Sequence, residues 1–125
     1  MEVSKQVDTG GENVLDEIKL RREIERSKEI NALKNLRDEK ADEDSRKLID
    51  KKISEIVDNT NKEMICENVF SSKGIGDCTV LFSGDIVYVI TQKKLSKQQV
   101  IQIQSTVMNV FRVKIDRIRI TSSSQ

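Results

Sequence analysis

Apolar residues are spaced in two different ways along this 125-residue chain. Before residue 73 they recur at intervals of three and four, which is typical of one face of an α-helix. After residue 77 they form short runs rich in Val and Ile, which is typical of β-strands. The pattern predicts helices over 14–39 and 42–72, strands over 78–82 and 86–91, a helix that begins at Ser96, and a final strand over 114–121.

The two N-terminal helices differ in their apolar faces. The first has a thin, drifting stripe, and so narrow a face usually stays exposed or needs a partner. Seven charges in the eight residues 37–44 separate it from the second, as a helix break or a fully exposed turn. The second helix has a stronger stripe, made of Ile49, Ile53, Ile56, Val57, Thr60, Met64, Ile65, Val69 and Phe70.

Turn and cap signals separate the later elements. Lys73-Gly74 is a helix C-terminal signal, because glycine readily takes the positive φ that ends many helices. Ser83-Gly84-Asp85 predicts a hairpin loop. Ser96, followed three residues later by Gln99, predicts a capping box at the start of the third helix.

The predicted order of elements is α-α-β-β-α-β, an α+β fold. A right-handed crossover places the third helix on the same sheet face as the second. We therefore expect a three-stranded sheet with two helices on one face, the first strand in the centre and the second and third at the edges. Because Ile115 and Ile118 are out of phase for simple alternation, we expect a bulge or a late start of pairing near Asp116.

The chain has room for one domain plus an extension. We expect a disordered tail over 1–13, a charged N-terminal helix over 14–40, the α+β domain over 41–121 and a short tail over 122–125. Hydrophobic residues make up 36% and charged residues 34%, so the core must be small relative to the surface.

Charge is unevenly spread. Residues 1–63 carry 14 basic and 17 acidic side chains, whereas residues 64–125 carry 8 and 4. This asymmetry is too modest to indicate nucleic-acid binding, and a solvated mixed-charge surface explains it better. No apolar run approaches the roughly 20 residues that span a membrane, so we expect this chain to be soluble.

The sequence offers no catalytic or metal-binding constellation. It contains no His, which excludes His-dependent triads and His metal sites. Cys66 and Cys78 are too few for a metal site; we expect buried free thiols, with a disulfide between them as the alternative. Asp77 and Asp85 flank strands and are expected to be turn residues. We therefore predict no enzyme activity, no cofactor and no metal.

Two short motifs are only weakly similar to phosphate-binding elements. Lys73-Gly74-Ile75-Gly76 contains a G-x-G but lacks the remaining glycine of a dinucleotide fingerprint and follows a helix, so a cap and turn is expected. Lys93, Lys94 and Lys97 lie at a helix N-terminus, where solvated side chains are the simpler interpretation.

The second predicted strand is apolar on both faces. Ile86, Tyr88 and Ile90 lie on one face, and Val87 and Val89 lie on the other. A sheet with helices on one side needs only one apolar face. Either the first long helix covers the second face, or another protein covers it or adds a strand to the sheet edge.

Several segments resemble the stage III sporulation protein AH family, over roughly residues 20–121. These segments are patterns of ordinary residues rather than chemical signatures. They are 21–28 (RREIERSK), 61–67 (NKEMICE), 72–74 (SKG), 77–80 (DCTV), 84–89 (GDIVYV) and 95–97 (LSK).

The resemblance implies a mother-cell protein of endospore-forming bacteria, with a domain similar to the ring-building motif of type III secretion and flagellar basal-body proteins. Such proteins are anchored by one transmembrane helix in the mother-cell membrane and face the intermembrane space around the forespore. The implied function is non-enzymatic: binding of the forespore's stage II sporulation protein Q, and assembly of a homo-oligomeric ring or channel that links the two cells. This sequence departs from the family in having no such helix, and we expect that it begins after the helix.

We expect the partner to contact the strands predicted at the sheet edges. The expected contact residues are Ile86, Tyr88, Ile90, Lys114, Asp116, Ile118 and Ile120. A K-homology-type RNA-binding module has a similar layout and is the alternative, but its G-x-x-G loop is missing from this sequence. A coiled-coil adaptor over 14–63 ranks last, because the apolar stripe does not hold a heptad.

Overall fold

A computed structural model describes residues 11–39 and 42–123, with side chains described from residue 14 onward. Three helices and a three-stranded sheet confirm the α+β class and the predicted N-terminal helix. The elements are α1 Gly11–Glu39, α2 Glu43–Ser72, β1 Cys78–Ser83, β2 Ile86–Thr91, α3 Lys97–Phe111 and β3 Ile118–Ser122, with a 3₁₀ turn at Ile115–Arg117 before β3.

The helix boundaries follow from local capping. Asp42, which has extended backbone, accepts a hydrogen bond from the Ser45 amide and caps α2, so a new helix begins at Glu43. At the start of α3, Ser96 and Gln99 form the predicted capping box. Lys73 ends α2 and is followed by glycine with φ +76°, as its Lys-Gly signal predicted.

The outer boundaries differ slightly from the predicted ones. Helix α1 begins at Gly11, inside the segment predicted as a tail; residues 1–10 and 124–125 lie outside the described part of the chain. Strand β3 extends to Ser122, and the Ser123 amide still donates to the Thr91 carbonyl of β2 (2.8 Å). The 3₁₀ turn delays β3 until Ile118, which confirms the late start of pairing.

The hairpin between β1 and β2 closes through two residues with left-handed backbone. Gly84 has φ +58° and Asp85 has φ +66°, and Ser83 pairs with Ile86 across the loop. Two consecutive positive φ values define the type I′ turn, whose twist matches that of the flanking strands. Glycine and aspartate tolerate this conformation, so the local sequence determines where the hairpin turns.

The strand order differs from the predicted one. The order is β1-β2-β3, so β2 is central and β1 is an edge strand. β1 pairs antiparallel with β2, whereas β3 pairs parallel with β2 in the register Val87 to Ile118. The prediction that β1 is central was therefore wrong. The central position is taken by the strand that is apolar on both faces.

The core lies between the sheet and two helices. Strands β1, β2 and β3 pack one face against α2 and α3, which confirms two helices on one side of the sheet. Its buried members are Cys66, Phe70, Ile75, Cys78, Val80, Val87, Val89, Ile103, Val107, Phe111 and Ile118.

Helix α1 packs beside this core, antiparallel to α2, and contacts β1. Its Leu15 is 1% exposed, and the Leu15 carbonyl accepts a hydrogen bond from the buried Thr79 hydroxyl (3.4 Å). Thr79 lies on the sheet face opposite the core, so α1 covers the β1 side of that face. Tyr88 on β2 stays 39% exposed. Helix α1 thus covers this face over part of β1 and leaves Tyr88 on β2 partly exposed.

Both cysteines are free and buried, as expected. Burial raises the pKa of the Cys66 thiol to about 12, with the nearby Glu67 and Glu63 charges adding to the effect. Burial and the neighbouring Asp77 raise the pKa of Cys78 to about 11. The folded protein therefore holds both thiols protonated, in a form that reacts slowly with electrophiles.

These pKa shifts predict a loss of stability in alkali. The folded thiols titrate above their ordinary pKa of 9.0, so their contribution is complete below pH 9.0 and is lost as the pH rises toward 11 and 12. Between about pH 8 and pH 10 we expect a loss of about 1 kcal/mol per thiol in the free energy of unfolding. Urea unfolding across this range measures it; the double variant Cys66→Ala/Cys78→Ala should show a shallower slope, and equal slopes would contradict the prediction.

Candidate protein-binding surface

The outer edge of β1 is occupied by side chains. In the hairpin, residues on either side of Val80 and Phe82 bond to β2, so these two residues direct their own N–H and C=O groups outward. The Val80 amide donates to Glu67 Oε2 (2.9 Å), and the Phe82 amide donates to Glu63 Oε2 (2.7 Å). Two carboxylates one helical turn apart on α2 thus replace a neighbouring strand.

Two arginines of α1 complete this arrangement. Arg22 Nη1 donates to Glu67 Oε2 (2.7 Å) and to the Val80 carbonyl (2.7 Å). Arg26 binds Glu63 through two parallel bonds, Nη1 to Oε1 (3.0 Å) and Nη2 to Oε2 (2.8 Å). We call these four residues, Arg22, Arg26, Glu63 and Glu67, the edge clamp.

The edge clamp is mostly buried. The Glu63 side chain is 0% exposed, and that of Arg22 is 6% exposed. Paired guanidinium and carboxylate groups with further backbone bonds largely satisfy each other in such a setting, whereas a lone charge would not. Among the clamp's buried polar side-chain atoms, Arg22 Nε has no hydrogen-bond partner. The edge clamp therefore joins α1, α2 and β1 and leaves the β1 edge closed.

Strand β3 forms the opposite edge, and no described strand pairs with its outer side. Basic side chains surround it: Arg112, Lys114, Arg117 and Arg119 are exposed, and among the described residues none of them forms an ion pair with a carboxylate. The Arg119 guanidinium instead donates to the carbonyls of Asp116 (2.6 Å) and Ile118 (3.2 Å). The Ile118 amide also donates to the Ile115 carbonyl, so β3 is open only beyond Ile118. The sheet thus has one closed edge and one basic edge that is open beyond Ile118, which we call the open edge.

Three of the expected contact residues lie together on the sheet face opposite the core. Tyr88 is exposed, and Ile86 and Ile90 are partly exposed. They lie on the central strand rather than at an edge, which corrects their predicted placement. The sheet register places Tyr88 between Leu81 on β1 and Arg119 on β3. These residues form a half-exposed apolar strip that leads to the open edge.

The other four expected residues do not all belong to this strip. Lys114 and Asp116 are exposed at the turn that precedes β3. The Ile118 side chain is 8% exposed and belongs to the core, and Ile120 packs against the core. Of these two, Ile120 can therefore meet a partner mainly through its backbone at the open edge, because the Ile118 amide and carbonyl are already bonded to Ile115 and Arg119.

The edge clamp was not predicted from the sequence. In the sequence its four residues are charges within predicted helices, and such charges usually form solvent-exposed pairs. A signal was present: Arg22 and Arg26, like Glu63 and Glu67, are four residues apart and so share one helix face. The sequence could not show that these faces meet each other and the edge of β1.

The described residues include neither a cluster of metal ligands nor a membrane-spanning helix. Among them, no three His, Cys, Asp or Glu side chains are grouped as metal ligands. Within 11–39 and 42–123, every helix is too short or too polar to span a bilayer.

Comparison with known proteins decides the family. The SpoIIIAH-like protein family matches residues 2–120, which is nearly the whole chain. The chain belongs to the SpoIIIAH-like family. The resemblance drawn from the sequence is thereby confirmed, and this SpoIIIAH-like chain belongs among sporulation proteins.

A solved structure has the same fold as this SpoIIIAH-like chain. It is described as "Structure of the SpoIIQ-SpoIIIAH pore forming complex", and the matched chain is 20% identical, with a TM-score of 0.76. The match covers 90% of this chain and 98% of the other. At this identity the likeness establishes the fold. Among curated proteins, no significant match was found.

Proposed function

We propose that this domain acts without catalysis in a sporulation complex, by binding a SpoIIQ-type partner in the space between mother cell and forespore. Membership of the SpoIIIAH-like family supports the sporulation role. The similar fold in a structure described as a SpoIIQ-SpoIIIAH pore-forming complex supports this type of partner. Association into a ring or channel is part of the same proposal.

The observation that carries the binding proposal is the asymmetry of the sheet. One edge is closed by the edge clamp, whereas the β3 edge is open and adjoins the half-exposed strip of Ile86, Tyr88 and Ile90. An open edge offers backbone hydrogen bonds to an added strand, and exposed aromatic side chains give specificity. We therefore assign the partner contact to this strip, with Lys114 and Asp116 at its rim.

The charge around the open edge indicates what the partner presents. Four basic side chains lie within Arg112–Arg119, against the single carboxylate of Asp116. Complementary charge raises association rates and disfavours wrong partners. We expect the contacting segment of the partner to be extended and acidic, and binding to weaken as salt is raised.

Calorimetry with the extracytoplasmic domain of SpoIIQ from the same organism tests this function. We expect micromolar binding by the wild-type chain and a rise in Kd of about tenfold or more for Tyr88→Asp, because a central tyrosine often dominates an interface. Met64→Asp is the matched control, since Met64 on α2 is similarly exposed (47% against 39%) but lies away from the sheet face.

Three outcomes are informative. No heat of binding by the wild-type chain would refute the partner. Equal weakening by Tyr88→Asp and Met64→Asp would refute the assigned surface while leaving the partner intact. Selective weakening by Tyr88→Asp supports both.

A further inference from the structure

Strand β1 carries none of the usual protections of an edge strand in its own sequence. Its six residues, CTVLFS, include no charge and no proline. Short uncharged segments of high β-propensity pair readily with other strands when their edge is free. Protection of this edge must therefore come from outside the strand.

The edge clamp supplies that protection. Three outward backbone groups of β1 are occupied: the Val80 amide by Glu67, the Val80 carbonyl by Arg22 and the Phe82 amide by Glu63. The three distances lie between 2.7 and 2.9 Å, as in a well-formed β-ladder. These side chains hold the positions that a neighbouring strand would take.

We propose that the edge clamp conceals a strand-addition site, which, once opened, accepts the β3 strand of a second copy of this chain. Every copy carries β3 with an outer side that no described strand covers, and the pairing begins beyond Ile118, whose amide and carbonyl are bonded to Ile115 and Arg119. Pairing of β1 with β1 is disfavoured because α1 and α2 flank that edge in both copies and would meet across it. When β1 of one copy pairs with β3 of another, α1 and α2 of the first copy face only the open edge of the second, so the helices of the two copies do not meet.

This proposal does not depend on the SpoIIQ-type partner. It states that β1 of one intact copy cannot pair with β3 of another, since every β1 edge is closed. A ring in which copies of the intact chain meet head to tail must then use surfaces other than the β1 edge. Opening the edge clamp should convert the chain into one that associates head to tail.

The test removes one acceptor from the clamp. Glu67→Ala and Glu67→Leu both free the Val80 amide, and the leucine variant fills the vacated space should the alanine variant fold poorly. Glu67→Gln is the matched control, because it removes the same charge but keeps an oxygen that accepts from Val80. We expect hydrogen exchange of the Val80 amide to be about tenfold faster in the first two variants, the equivalent of one lost hydrogen bond, and unchanged in Glu67→Gln.

Sedimentation velocity into the millimolar range then reports association. We expect Glu67→Ala and Glu67→Leu to form reversible oligomers, and the wild-type chain and Glu67→Gln to stay smaller at equal concentration. Wild-type chain added to Glu67→Ala should join these oligomers through its open β3 edge and shorten them.

Other results would overturn the proposal. It fails if both opened variants associate no more than the wild-type chain although the Val80 amide exchanges faster, or if that amide does not exchange faster. It also fails if Glu67→Gln associates as strongly. Association without uptake of the wild-type chain would show β1 pairing with β1 and would refute the assigned occupant.

Discussion

Glu63→Ala is expected to lower the free energy of unfolding by about 3–5 kcal/mol, the range for removing one partner from a buried ion pair. The Glu63 carboxylate is 0% exposed and accepts from both terminal nitrogens of Arg26 and from the Phe82 amide. Its removal leaves a guanidinium without its main partner and a backbone amide without an acceptor. The loss should therefore loosen α1 from α2 and β1 together.

Urea unfolding followed by circular dichroism measures this change. Glu55→Ala is the matched control, because it makes the same substitution on the same helix at an exposed position. We expect that control to change stability by less than about 0.5 kcal/mol. Comparable losses in the two variants would mean that the edge clamp contributes no more than a surface charge.

Phe70→Ala is expected to cost a similar amount, about 3–5 kcal/mol, through a different mechanism. Phe70 is fully buried at the end of α2, within the core cluster that includes Ile103 and Val107 of α3. Truncation removes most of an aromatic side chain and leaves a cavity that the sheet and two helices cannot fully close. Because this cluster is the main core of a small domain, the loss approaches the whole stability of many such domains.

The matched control for the core is Met64→Ala, at the position six residues before Phe70 on α2, where the side chain is 47% exposed. We expect it to cost less than about 1 kcal/mol, since little apolar area returns to water. Equilibrium unfolding of both variants in urea gives the comparison. A loss for Phe70→Ala no larger than that for Met64→Ala would contradict the assigned core.

The two variants should also differ in what unfolds. Glu63→Ala acts where α1 meets the sheet, so hydrogen exchange should rise first in α1 and at the β1 edge. Phe70→Ala acts in the core between the sheet, α2 and α3, so protection from hydrogen exchange should fall throughout β1, β2 and α3. Local opening and global unfolding are distinguishable in this way.

Family membership could be predicted from the sequence. The segments that resembled the family lie within residues 20–121, and the family matches residues 2–120. The surface assigned to a partner could be predicted only in part from the sequence. The sequence of β2 showed that both of its faces are apolar. It could not show that β2 is the central strand or that the Ile118 side chain is buried in the core.

The elements of this protein were determined by the sequence itself. Helix lengths, the Ser96–Gln99 capping box, the Gly84-Asp85 turn and the late start of β3 each depend on residues a few positions apart. Only the tertiary structure decided the strand order and the edge clamp. Arg22 and Glu67 are 45 positions apart, and Arg26 and Glu63 are 37 apart. Charges at such separations carry no periodic signal in the sequence. Packing alone determines whether they contact solvent or the backbone at the edge of a strand, as the edge clamp does at β1.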